Sequence, residues 1–490
     1  MVHGVAWTTI DRWGTRLLSL AVIAVLARLL NRTDFGLVAA AAVWVDYFST
    51  FVGQGLGLAV IQRKDLEPEH INVAFWFNLV FAVILVALTW IAAPYIAKWI
   101  KYPEVRPVLR WLSIGLILEA FSRIHIAMFM RHLRFAPIAA VNIIASVAGA
   151  VAGLTLAFLG WGVWSLVAQQ LVRGLSASIA VWVVTGWKPT PHFTWRHVRD
   201  LYSYSTYVFF DQQVLFMARR LDEALVAGFL GVAELGLYSI AKRMVLLLQE
   251  VLEIPLAQVF FPGFSRLQDS TEKLNRAAET SYRLVCLLVL PAFAGLIALA
   301  PEAIRLLFGP KWLDAVPLVR VLAIGAPFFL FPLTCHAVFH ALGRPGVALV
   351  LNTIRAAESA ILLPIGAFFG GVLGIAAALS MRNLVGAIGD IVFLRKKVPA
   401  LRIRFVPGIY RPVIAAGVMV VLVRLMADRV TPWGPALGFA CSVLTGIFVY
   451  SALMILMDRS VVIECFEAFR VALQPVFARL VRLGSFSVKP

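Results

Sequence analysis

The chain has 490 residues, 61% of them hydrophobic and 14% charged, with 44 basic against 26 acidic side chains and a net charge of +18. A soluble globular domain is roughly half apolar and a quarter charged, so a water-soluble fold is excluded, and the mean hydropathy of +0.88 agrees. Long apolar runs broken by short polar turns define an all-α polytopic membrane protein, whose basic surplus answers to the positive-inside rule and anionic lipid and not to nucleic acid.

In chain order, about fourteen membrane-crossing helices are predicted, near residues 7–30, 36–60, 71–97, 105–130, 136–159, 162–186, 206–230, 234–261, 281–308, 315–342, 346–369, 372–394, 411–427 and 434–457. The first run carries Asp11, Arg12 and Arg16 with no small-residue cleavage site, so it reads as a retained helix and not a signal peptide. Short turns such as "NRTDFG" and "FFGG" separate the helices. Lys and Arg gather in alternate loops, for example Arg131 and Arg134, or Arg395, Lys396 and Lys397, which predicts both termini in the cytoplasm. The tail, 459–490, places Val462, Phe466, Phe469, Leu473, Phe477 and Leu480 at roughly helical spacing, as in an amphipathic helix on the inner surface.

The sequence is written twice. "VLRWLSIG" at 108–115 returns as "LVRVLAIG" at 318–325, and at the same offset Lys101 meets Lys311, Arg134 meets Arg344 and Asn142 meets Asn352. Upstream, at an offset of 200, Asp11 meets Asp211 and "DFGL" at 34–37 meets "ELGL" at 234–237. Six helices per half return the chain to its starting side, so the halves are parallel repeats that rock about a central cleft. The expected organisation is an N-lobe over 1–187, a C-lobe over 200–395, two extra helices over 410–457 and the tail.

Charges at membrane depth are the functional clue. An Arg at a helix centre costs roughly 2.5–3.5 kcal/mol on insertion scales, so such a group faces water or a partner. The candidates for a cationic, substrate-binding cavity are Arg12, Arg16, Arg123, Arg173, Arg219, Arg220, Arg243, Arg355 and Arg382, with contributions from both lobes. Local pairing is the blander reading: Arg16 with Asp11 or Asp46, Arg219 with Asp222 and Glu223, Arg355 with Glu358. A basic vestibule suits an anionic substrate, because the guanidinium fork matches phosphate oxygens.

Other motifs carry less. No GxxxxGK[ST] loop exists for ATP. "GQGLG" at 53–57 reads as close helix packing, and His336 and His340, four apart without an HExxH pattern, read as packing too. Cys286, Cys335, Cys441 and Cys465 are scattered, so neither a metal site nor a disulfide is expected.

"LARLLNRTDFGLVAAAAV", "GLGLAVIQRKDLEPEHINVAFWFNL", "MFMRHLRFAPIA" and "GWGVWSLVAQQLV" resemble the polysaccharide transporter family of the MOP exporter superfamily, as do "LDEALVAGFLGVAELGLYSIAKRM", "IPLAQVFFPGFSRLQD" and "LLFGPKW" in the second half. The likeness runs over about residues 5–395 and is strongest to Wzx-type flippases of the colanic and teichuronic acid exporter branch. It implies a flippase of undecaprenyl-diphosphate-linked oligosaccharide repeat units in the bacterial inner membrane, serving exopolysaccharide, O-antigen or similar synthesis. The implied partners are that lipid-linked glycan, membrane lipid, and a polysaccharide polymerase with its chain-length proteins; no cofactor is implied. "YSIAKRM" puts Arg243 where lipid II flippases carry a helix 8 Arg, and Arg12 and Arg16 match their helix 1 cations in kind. Coupling to a proton or sodium gradient or to the membrane potential is implied, with Asp11, Asp46, Asp211, Glu250 and Glu358 as candidates. In those relatives an added helix pair forms a lipid-facing groove.

Two readings compete. An exporter of small organic solutes with the same two lobes would favour an acidic or apolar cavity, against this Arg-rich set. A membrane polymerase or glycosyltransferase would show a long external loop with catalytic residues, and the sequence has none.

Overall fold

The computed structural model describes residues 2–54, 57, 60–61, 63, 65–190, 194, 197, 213–214, 216–343, 345–398, 405–430 and 434–484. Among them the fold is all-helical. The helices are α1 (Val2–Leu29), α2 (Arg32–Gln54), α3 (Pro68–Ile100), α4 (Val105–Arg131), α5 (Phe135–Phe158), α6 (Val163–Thr185) and α7 (216–230, ending in a π-helical turn, Val226–Leu230). There follow α8 (Val232–Ser265), α9 (Thr271–Ala298), α10 (Ala300–Leu307), a 3-10 turn (Pro310–Ala315), α11 (Val316–Leu330), α12 (Pro332–Ala341), α13 (Pro345–Lys397), α14 (Phe405–Val430) and α15 (Pro435–Gly484).

Among the described residues nine helical spans are long and apolar enough to cross a membrane, against the fourteen or so expected. One of the nine, Val350–Lys397, runs through two predicted helices. Its two limbs meet where Gly370 and Gly371 leave helical geometry, Gly371 at φ 55°, a conformation that glycine adopts without a Cβ penalty. Two further long helices hold more charge: α8 carries Lys242, Arg243, Glu250 and Glu253, and α14 carries Arg411, Arg424, Asp428 and Arg429. The α15 helix breaks at Asp458 and restarts, so the predicted tail helix is helical to Gly484.

Two compact units interleave along the chain. The first gathers residues 1–240, 307–312 and 356–375, and the second gathers 241–306, 313–355 and 376–490. In the first, α5 lies along both α1 and α6, and α4 packs on α2, α3 and α6. The approach of α5 to α6 uses Gly149, where a Cβ would come within 2.7 Å of the Gln169 carbonyl oxygen. Near the start of α3, Phe75 is ringed by Trp76, Phe121, His125, Trp182 and Trp187 at centroid distances of 5.4–6.2 Å.

The "LLFGPKW" segment docks on the α1–α2 turn of the same unit. The Trp312 indole N–H donates to the Ala27 carbonyl at 2.8 Å, and the Phe35 ring stands edge-on to it at 5.4 Å. Arg32 Nη2 donates to the Lys311 carbonyl at 2.6 Å, and Lys311 Nζ returns to the Arg28 carbonyl at 3.0 Å. These bonds satisfy helix-end carbonyls that α1 leaves without an intrahelical donor. In the second unit α9 is central, packing on α11, α14 and α15 around Leu287, Met419, Val423 and Tyr450.

Candidate functional site

Two charged clusters lie inside the helical packing. In the first unit, α7 places Arg220 and Glu223 three apart on one face. Arg220 Nη1 donates to Glu223 Oε2 at 2.6 Å, and Nη2 donates to Asp46 Oδ2 of α2 at 2.9 Å. Glu223 is 7% exposed, Arg220 37% and Asp46 41%, so the cluster runs from a buried carboxylate to an open one. Beside it, the Tyr238 hydroxyl donates to Asp222 Oδ2 at 2.6 Å. Gln213 Nε2 donates to Thr50 Oγ1 at 2.8 Å one turn along α2.

In the second unit, Asp390 on the second limb of α13 is 1% exposed. Its Oδ2 takes Arg355 Nη2 from the first limb and faces His336 Nε2 of α12 at 3.3 Å. Arg355 lies in the space left by Gly386, where a Cβ would meet its Nε at 3.3 Å. Arg382, buried on the same helix, donates from Nη2 to Asn383 Oδ1 at 2.7 Å.

The other predicted residues scatter over the bundle. Arg123 of α4 is paired with Glu119 one turn back. Arg16 and Arg243 are half-buried on α1 and α8, as are Glu250 on α8 and Glu358 on α13. Arg173 on α6 and Arg219 on α7 are exposed. The side chains of Asp11 and Arg12, on α1, and the whole of Asp211 lie outside the described residues.

The structure adds partners that the sequence spacing did not suggest. Asp46 is joined to Arg220, not Arg16. Glu223 meets Arg220, and Asp222 accepts from the Tyr238 hydroxyl. Arg355 is joined to Asp390, 35 residues on. His336, read as packing, faces that carboxylate. Asp390 went unremarked in the sequence because nothing within a helical turn of it is basic. A third set, Arg424 with Glu302 at 2.8 Å and Asp428 at 3.1 Å, was also missed.

Two further features frame these clusters. At the start of α3, Glu67, His70 and His197 bring donor atoms within 4.8 Å of one another, a metal-ligating combination hidden by a separation of 130 residues. Asn72 and Trp76 fix the same connecting segment through Thr190, with bonds of 2.7, 3.1 and 2.9 Å. In the second unit, an apolar groove of about 560 Å³ opens between α8, α9, α14 and α15, lined by Leu287, Pro291, Met419, Val423, Phe439 and Tyr450 among others.

Charged groups embedded in a bundle of long apolar helices define a multi-pass membrane protein. The family model described as "Polysaccharide biosynthesis protein" matches residues 25–317, more than half of the sequence. The chain therefore belongs to the polysaccharide biosynthesis protein family. It is 27% identical over 464 residues, 94% of each chain, to the succinoglycan biosynthesis transport protein ExoT of Rhizobium meliloti. Its fold is similar to the lipid II flippase MurJ in an inward closed conformation, with TM-score 0.76 and 15% identity over 94% of this chain and 100% of that one. It is also similar to a multidrug resistance MATE family transporter of the MOP superfamily in an inward-facing conformation, with TM-score 0.62 and 16% identity over 81% of this chain and 99% of that one.

Proposed function

We propose that this protein flips undecaprenyl-diphosphate-linked oligosaccharide repeat units from the inner to the outer leaflet of the bacterial plasma membrane, for exopolysaccharide or a similar surface glycan. Both termini lie in the cytoplasm, and the substrate crosses by alternating access through a cationic cavity. The observation that carries this reading is the likeness to ExoT along 94% of both chains, since ExoT is named for the transport step of succinoglycan synthesis. Arg16, Arg243, Arg355 and Arg382 are the arginines we assign to the diphosphate, each half-buried or buried on its helix, where a guanidinium fork can meet phosphate oxygens away from bulk water. The apolar groove beside α14 and α15 suits the isoprenoid tail, which keeps its hydrocarbon out of water while the sugar head crosses.

No cofactor takes part. Outward movement of an anionic headgroup is favoured by an inside-negative potential, by about 2.3 kcal/mol per charge per 100 mV. The proton or sodium gradient supplies any further coupling. The MATE-like fold supports a second reading, export of small organic solutes, but the arginines disfavour the cationic drugs such a cavity would take. The test is reconstitution in vesicles with a fluorescent diphosphate-linked oligosaccharide. Exchange between leaflets that depends on the protein supports the proposal, and exchange no faster than in empty vesicles refutes it.

A further inference from the structure

In the His336–Asp390–Arg355 cluster one imidazole nitrogen stands between a carboxylate and a guanidinium. His336 Nε2 lies 3.3 Å from Asp390 Oδ2 and 3.4 Å from Arg355 Nη2. A neutral imidazole nitrogen either accepts a hydrogen bond or donates one. As acceptor, Nε2 takes an N–H from Arg355 and helps to hold it. Once protonated, Nε2 donates to Asp390 and sets a second cation beside the guanidinium. Asp390 is buried and its Oδ1 has no hydrogen-bond partner, so it has a vacant acceptor position when the charges rearrange. His336 and Arg355 are each about one-fifth exposed, so both protons and ligands reach the cluster through them.

We propose that His336 and Asp390 form a proton-binding site that decides whether Arg355 is held by Asp390 or presented to an anionic ligand. With His336 neutral the three side chains carry no net charge, and Arg355 is bound to the carboxylate. One proton taken from water onto the imidazole makes the trio singly positive. The imidazolium then shares Asp390 and repels Arg355, whose fork turns to phosphate oxygens. The anion is drawn to the added positive charge, so proton and anion bind cooperatively, and by linkage each strengthens the other. Other titratable groups near the cluster are Cys335 and His340 on α12, Glu358 on the first limb of α13, and Tyr282 and Cys286 of α9, which lie toward Cys335. None of them bridges Arg355 to Asp390 among the described contacts.

That the anion is the diphosphate of a lipid carrier rests on the flippase reading; the proton switch itself does not. The experiment therefore has two arms on the purified full-length protein. In the first, arginines are modified with a guanidine-selective dicarbonyl at about pH 6 and about pH 8, and Arg355 is followed by peptide mass spectrometry against exposed Arg276. The ratio of Arg355 to Arg276 modification should rise several-fold at the lower pH. It should be high at both pH values in Asp390→Asn and flat in His336→Gln. A wild-type ratio that does not change with pH overturns the proposal. The second arm measures binding of a short-chain isoprenyl diphosphate sugar diester, whose own charge is constant over this range. Affinity several-fold tighter at the lower pH in wild type, and independent of pH in Asp390→Asn, supports the coupling. Binding that is independent of pH in wild type overturns it. No binding by wild type, with the modification ratio still rising, rejects the diphosphate reading and leaves the switch standing.

Discussion

Gly36 of α2 and Gly236 of α8 face each other across the duplicated turn: a Cβ on Gly236 would lie 3.1 Å from the Gly36 nitrogen. The contact is reciprocal. A Cβ on Gly36 would overlap the carbonyl of Val232, and one on Gly236 would overlap the carbonyl of Arg32, its repeat-equivalent. When residue i meets j while the equivalent of i meets the equivalent of j, a local two-fold axis passes between them. "DFGL" and "ELGL" are thus the two sides of one crossing.

Valine at either glycine should therefore drive the two helix starts apart. Gly36→Val and Gly236→Val should each destabilise by at least the ~1–3 kcal/mol typical of overpacking. Gly417→Ala, in a helix position with open space, should hold or gain stability. Melting of the detergent-purified variants by size-exclusion fluorescence checks this, and equal melting of all three would contradict the crossing.

The Arg220 cluster predicts an asymmetry. Removing the cation in Arg220→Met strands the buried Glu223, whereas Asp46→Asn removes only a carboxylate that is 41% exposed. Arg220→Met should lower the melting temperature more than Asp46→Asn does. Adding Glu223→Gln to Arg220→Met should recover part of the loss, because no uncompensated buried charge remains.

Trp312→Phe keeps an aromatic ring against Phe35 but leaves the Ala27 carbonyl without its indole donor. An unmade buried hydrogen bond costs about 1–3 kcal/mol. The variant should melt earlier than wild type by a margin that urea titration in mild detergent can resolve.

If the groove beside α14 and α15 seats an isoprenoid tail, Val443→Trp should narrow it. Flipping of long-chain carriers should slow, while that of short-chain analogues should change little. Competition between carriers of two lengths in the same vesicles measures the difference, and an equal loss for both would remove the groove from the pathway.

Much of the scaffold could be read from the sequence, because a buried or lipid-facing helix needs apolar residues along its length and a turn needs glycine, proline or charge. The "FFGG" turn marked the place where α13 changes direction at Gly370 and Gly371. The repeat was legible because Gly36 and Gly236 have no room for another side chain. The charged clusters were not. A sequence shows the carboxylates three or four positions from an arginine, such as Glu358 after Arg355, but not Asp390, which helix packing brings to Arg355 from the other limb. The clusters also break the repeat: the equivalents of Asp46 and Arg220 are Leu246 and Leu20, so duplication gives no hint of them.

The most direct test of the central claim is leaflet exchange of a fluorescent undecaprenyl-diphosphate oligosaccharide in vesicles holding wild type, Arg243→Ala or Arg382→Ala, with the amount of folded protein matched. Fast exchange in wild type that falls at least tenfold, as loss of a charge-assisted phosphate contact of ~1.5–3 kcal/mol requires, is the predicted result. Exchange in wild type no faster than in protein-free vesicles, or unchanged in both variants, would contradict it.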